Sequence, residues 1–89
     1  MKALDVTTKF RRDLKRERKT DPSIEGLLKT VIAFLREGNT LPEKMKDHPL
    51  SGDWKDHRDC HVKPDLILIY RVNDEAVTLV RLGSHSELF

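Results

Sequence analysis

The sequence predicts an α+β fold, with two N-terminal helices packed on a small, mainly antiparallel β-sheet. Residues 21–38 hold an apolar stripe of helical period with a start signal and a stop signal at its ends. Three β-like runs follow in the second half, joined by short turns, which is the pattern of an antiparallel meander. A length of 89 residues makes one domain, residues 1–89, with a single small core.

Ala3–Val6 is a short apolar start able to form a strand. Thr7 or Thr8 can cap a first helix, in which Phe10 and Leu14 lie one turn apart on one face. So thin a stripe keeps that helix at the surface. Asp21-Pro22 starts the second helix, an N-cap side chain followed by proline at the first helical position. Ile24, Leu27, Leu28, Val31, Ile32 and Leu35 then repeat at helical spacing, and Gly38 closes the helix. Residues 39–53 contain Pro42, Pro49 and Gly52 and show no periodicity, so they read as a long loop, where function is to be sought. Residues 54–62 alternate imperfectly, with Arg58, Cys60 and Val62 on one side and His57, Asp59 and His61 on the other. Lys63-Pro64-Asp65-Leu66 reads as a tight turn, residues 66–72 as a buried strand, 73–75 as a second turn and 76–82 as a third strand. Gly83 frees the backbone for the last six residues.

The net charge is only +2, yet seven of the eleven residues from 9 to 19 are Lys or Arg. They form either the solvated side of an amphipathic helix or a face for an RNA backbone or an acidic protein, and both can hold at once. The single cysteine, Cys60, leaves no internal disulfide and fits a reducing compartment. With no apolar run of membrane-spanning length and no secretory leader pattern, a cytoplasmic protein without a membrane partner is expected.

All four histidines fall between residues 48 and 89, in three short polar segments, with a β-like run between the last two. Histidine titrates near neutrality and serves as proton donor or acceptor, so a sheet edge carrying imidazoles, a carboxylate and arginines suits proton transfer beside a phosphate. His61 precedes the Pro64 turn and Asp65 follows it. An antiparallel third strand returns His85 to the same edge, and His48 joins only if the long loop folds back. His57, Cys60 and His61 are close in sequence, but alternation turns Cys60 away and no Cys-x-x-Cys is present, so no metal and no cofactor are expected. Cys60 reads as core. Arg58, Arg71 and Arg81 occupy strand positions, and the planar arginine fork suits a phosphate gaining charge. Arg81, four residues before His85, is the first choice for that role. Phe89 either staples the tail down or offers a ring for base stacking.

Asp47-His48-Pro49-Leu50, the run from Arg58 to Asp65 with Ile67-Leu68-Ile69-Tyr70, and Gly83-Ser84-His85 ending in Leu88-Phe89 together resemble the YafQ branch of the RelE/ParE toxin superfamily. The resemblance covers essentially the whole chain. It implies a RelE-like, microbial-RNase-like fold and the toxin of a type II toxin–antitoxin pair. Such a toxin is an endoribonuclease that cuts mRNA in the ribosomal A site, without a metal, by attack of the ribose 2′-hydroxyl on the adjacent phosphorus. On that reading His48, His61, Asp65 and His85 are the catalytic group. Arg81 supports the phosphate and Phe89 helps position the nucleotide, with Arg58 a further candidate for substrate binding. His85 is preferred as acid, His48 or His61 as base, and Asp65 as the group orienting or sharing that proton. The implied partners are a cognate antitoxin, mRNA and the ribosome with its 16S rRNA, with DNA reached only through the antitoxin complex. Related toxins carry tryptophan just after the turn aspartate; this chain has Leu66 there. The competing readings are a non-catalytic toxin that binds and inhibits DNA gyrase, and an RNA-binding module without turnover.

Overall fold

A computed structural model describes residues 1–89. Strand β1 (Ala3–Val6) leads into helices α1 (Thr8–Thr20) and α2 (Ile24–Glu37). A 3-10 turn at Glu43–Met45, the short strand β2 (His48–Pro49) and a second 3-10 turn at Gly52–Trp54 follow. Strands β3 (Arg58–Lys63), β4 (Leu66–Val72) and β5 (Ala76–Gly83) form the predicted meander, and a one-turn helix α3 (His85–Leu88) ends the chain. The sheet order is β1-β5-β4-β3-β2, with β1 parallel to β5 and every other pair antiparallel.

Local chemistry accounts for the helix ends. The Thr7 side chain accepts from the Phe10 backbone N–H at the start of α1. The Asp21 carboxylate accepts from both the N–H and the hydroxyl of Ser23, so it caps the turn from which α2 departs at Ile24. The ammonium of Lys63 also bonds to Asp21 and, with the Ser23 donors, holds this carboxyl down to about 2. Gly38 ends α2 in the left-handed conformation, φ 75°.

The sheet buries both of its faces, unequally. On one, Phe10, Ile24, Leu28, Val31 and Leu35 of the helices pack against Cys60, Val62, Leu68, Tyr70, Val77, Leu79 and Leu82. On the other, Ile67 and Ile69 are covered by Leu88, with Leu50, Trp54 and Val80 around them. Two-sided cover is why β4 reads as a continuous apolar run.

Two expectations need correction. Residues 39–53 are not a structureless loop: Leu41 and Met45 enter the core, and His48–Pro49 pair with β3. Lone anchors without a period give no helix or strand signal. Residues 54–57 are not strand either, because Trp54 closes a 3-10 turn and Asp56 takes φ 69°, which breaks extended backbone.

β1 pairs only with Ala76 to Leu79, so the far half of β5 lacks a neighbouring strand. Side chains of α1 and its cap take that strand's place. Thr7 Oγ1 donates to the Val80 carbonyl at 2.7 Å, Asp13 Oδ2 accepts from the Leu82 N–H at 3.0 Å, and Arg16 donates to the Leu82 carbonyl at 3.2 Å.

Candidate active site

Two rows of side chains cross the face of the sheet opposite α1 and α2. Pairing sets His48 of β2 beside Asp59 of β3, Asp59 beside Ile69 of β4, and Ile69 beside Arg81 of β5. Paired residues share a face and strands lie about 4.8 Å apart, so His48, Asp59 and Arg81 fall in one row across the strands. In the second row His61 pairs with Ile67 and Ile67 with Gly83, two residues before His85.

Arg81 reaches this face through a bulge. Val77 and Leu79 face the helices, and strict alternation would send Arg81 inward after them. The register slips at Val80, so Arg81 opposes Ile69 and Leu82 returns to the core. A second irregularity between His61 and Lys63 lets His61 stay on the open face while Lys63 turns to Asp21.

Asp59 is 3% exposed. Burial pushes its carboxyl up, against the pull of His48 and His61 and, more weakly, His85, with Asp47 adding to the rise. The Nδ1 of His48 lies 2.8 Å from the Lys46 carbonyl and 2.8 Å from Asp59 Oδ1. Alignment gives the hydrogen bond to the carbonyl, so the buried Oδ1 has no hydrogen bond of its own and meets His48 as a charge. Both neighbours only accept, which places the hydrogen of neutral His48 on Nδ1 and leaves Nε2 as the basic nitrogen. Lys46 presents its carbonyl from a left-handed turn, φ 51°. His61 Nδ1 faces the Pro64 carbonyl at 3.4 Å in the same sense.

The His85 side chain is exposed, and its ring centroid lies 5.0 Å from that of Phe89 at a tilt of 38°. Phe89 is 48% exposed, whereas Leu88 is 7% exposed and packs on Ile67 and Ile69. Leu88 is thus the staple of the tail. α3 is set by a capping box, Ser84 accepting from the Glu87 N–H and Glu87 from the Ser84 N–H.

Three expected site residues stand differently. Asp65 is exposed at the hairpin tip, beside Glu17, Thr20 and Asp21 of the helix junction, and no hydrogen bond or ion pair joins it to a histidine. Arg58 shares the parity of Cys60, and its guanidinium is held by Asp47, which also accepts from the Tyr70 hydroxyl. It braces the loop before β2 on the helix side of the sheet and does not join the histidines. Arg81 is gripped by Asp13 of α1, Nε to Oδ2 at 2.7 Å. Cys60 is fully buried, its thiol pushed up to about 12 by burial with help from Asp47 and Asp59.

Sequence reasoning therefore missed two carboxylates. Asp59 had a signal, since it lies two residues before His61 on the same side of the strand. Asp13 had one too: it sits between Phe10 and Leu14 on the buried stripe of an otherwise basic helix.

Residues 2–89 match the family model for the bacterial toxin of type II toxin–antitoxin system, YafQ. The chain is similar to the mRNA interferase toxin YafQ of Escherichia coli K12, 35% identical over 86 residues that cover 97% of this chain and 94% of the relative. It is also similar to the solved structure of a metal-bound toxin from Helicobacter pylori, with 45% identity, a TM-score of 0.91 and complete coverage of both chains. A chain of the Escherichia coli DinJ–YafQ complex superposes with a TM-score of 0.89 at 36% identity, over 100% of this chain and 99% of that one.

Proposed function

We propose a reaction for this chain, which belongs to the YafQ family of toxins from bacterial type II toxin–antitoxin systems: ribosome-dependent cleavage of mRNA in the A site, which stops translation. The observation that carries it is the line of His48, Asp59 and Arg81 across the sheet, with His61 and His85 in the next row. The relatives named mRNA interferase support the same reading.

His48 Nε2 takes the proton of the ribose 2′-hydroxyl as that oxygen bonds to phosphorus, and Asp59 behind it stabilises the imidazolium. The bond from phosphorus to the 5′-oxygen breaks, and His85 protonates the leaving oxygen. The products are a 2′,3′-cyclic phosphate and a 5′-hydroxyl. Arg81 and His61 meet the charge that gathers on the phosphorane. Asp65, exposed at the hairpin tip just beyond His61, accepts a hydrogen bond from the nucleotide once RNA is seated. Positioned acid and base groups typically contribute about 10²–10⁴-fold each, and charge stabilisation about 10²–10³-fold. Each of these steps is assigned to a side chain of the protein itself. A gyrase-blocking toxin leaves the histidine rows without a use.

By analogy with the DinJ–YafQ complex, a cognate antitoxin restrains the toxin, and the exposed side chains of Lys9, Arg11, Arg12, Lys15 and Lys19 offer it a basic face. One experiment tests reaction and partner together. Purified protein is added to a translating extract that has been stripped with EDTA and restored only to the magnesium that ribosomes need. Cuts mapped to A-site codons are expected, and co-expressed antitoxin should abolish them. The double variant Arg11→Glu, Arg12→Glu should escape that inhibition; full inhibition would move the antitoxin contact elsewhere. Intact mRNA with halted DNA supercoiling would establish the gyrase reading instead.

The tail separates positioning from packing. Phe89→Ala should slow cleavage by about one to two decades, the worth of roughly 1–3 kcal/mol of base stacking, while its melting temperature barely moves. Leu88→Ala should cost about 2–3 kcal/mol of stability as a buried leucine. A large stability loss at Phe89 would remove the stacking role.

A further inference from the structure

We propose that Asp13 is a positioning residue for this cleavage, fixing the guanidinium of Arg81 at the phosphate; the proposal rests on the role given to Arg81 above. An unrestrained arginine samples many rotamers, and one that must meet a phosphorane gains by being held in place beforehand. Asp13 supplies that hold. Its side chain is 4% exposed, and both oxygens are engaged. Oδ2 accepts from Arg81 Nε at 2.7 Å and from the Leu82 N–H at 3.0 Å, while Oδ1 accepts from Arg81 Nη2 at 3.3 Å and Arg16 Nη1 at 3.2 Å. The two bonds to Arg81 form the planar fork that arginine makes with a carboxylate. Because the same carboxylate also bonds the next residue's backbone, the guanidinium is fixed relative to the strand that carries it. Nη1 of Arg81 makes no hydrogen bond within the protein, and its donors remain for the phosphate.

Arg16 ties this fork to the proposed acid. Its guanidinium reaches Glu87 Oε2 at 3.4 Å and Glu17 Oε2 at 3.0 Å, and Glu87 is the partner of Ser84 in the capping box of α3, which begins at His85. Gly83 lets these groups close up, since a Cβ there would stand 3.3 Å from both Arg16 Nη2 and Glu87 Oε1. One turn of α1 thus holds the arginine and, through Arg16, the helix of the acid.

Cleavage rates on programmed ribosomes under single-turnover conditions, for wild type, Asp13→Asn, Arg81→Met and the double variant, test the proposal. Asp13→Asn keeps an acceptor for Leu82 but turns an amide toward Arg81. It should cleave about 10²-fold more slowly, with ribosome binding unchanged, and the double variant should be no slower than Arg81→Met. If Asp13→Asn cleaves within about twofold of wild type, or the two losses multiply in the double variant, Asp13 does not act through Arg81. Wild-type protein gives a second reading that needs no variant to fold. The Arg81 Nε–H should exchange with solvent about tenfold or more slowly than that of exposed Arg71; equal rates overturn the proposal. An inactive wild type would overturn both this and the cleavage reading, whereas an active wild type with a free Arg81 overturns this one alone.

Discussion

Replacing His85 by alanine is expected to slow mRNA cleavage by about 10²–10⁴-fold, the usual worth of a positioned general acid, with little change in stability. The imidazole is exposed, makes no hydrogen bond within the protein and lies against the Phe89 ring. The anchors of α3 are the Ser84–Glu87 capping box and Leu88, which the substitution leaves alone. An exposed change of this kind stays within about 0.5 kcal/mol. Cleavage rate and urea unfolding should be measured on the same sample. Normal cleavage would remove His85 from the reaction, and a collapsed fold would make it structural.

Asp59→Asn is expected to separate stability from activity. Burial holds the Asp59 carboxyl above its ordinary value despite His48 and His61, so the folded protein keeps a proton that the unfolded chain releases near pH 4. Between those two values the native state binds more protons, and stability falls as pH rises through that window. At neutral pH the ionised, buried carboxylate, with one oxygen lacking a hydrogen bond, is a standing cost. The asparagine variant should therefore be more stable than wild type at pH 7 and lose that advantage near pH 3. Its cleavage should fall by about 10²-fold or more, because the base loses the charge that stabilises its protonated form. A destabilised variant at pH 7, or one that cleaves normally, would show that Asp59 serves the fold. Cost in the fold combined with gain at the site is the trade expected where function maintains a strained group.

The helices and the meander were legible in the sequence because their signals are local. Ile24 to Leu35 carry a helical period between Asp21 and Gly38, and β4 and β5 are apolar runs between short turns. Alternation alone put Cys60 in the core and His61 on the opposite face, and antiparallel return alone put His85 at the edge of His61. Tertiary structure decided the rest. His48 joins the row only because Leu41 and Met45 anchor a loop of no period, which lets two residues pair with β3. Arg81 faces the site only because β5 slips one residue at Val80, and its carboxylate partner comes from a helix 68 residues earlier. Composition does not tell the surroundings of Asp59 from those of Asp65; folding buries Asp59 beside the histidines and leaves Asp65 exposed at the hairpin tip. Periodicity is written in consecutive residues and survives in the unfolded chain as a pattern. Bulges, loop anchoring and the burial of one polar group depend on which distant segments pack together, so they exist only once the chain has folded.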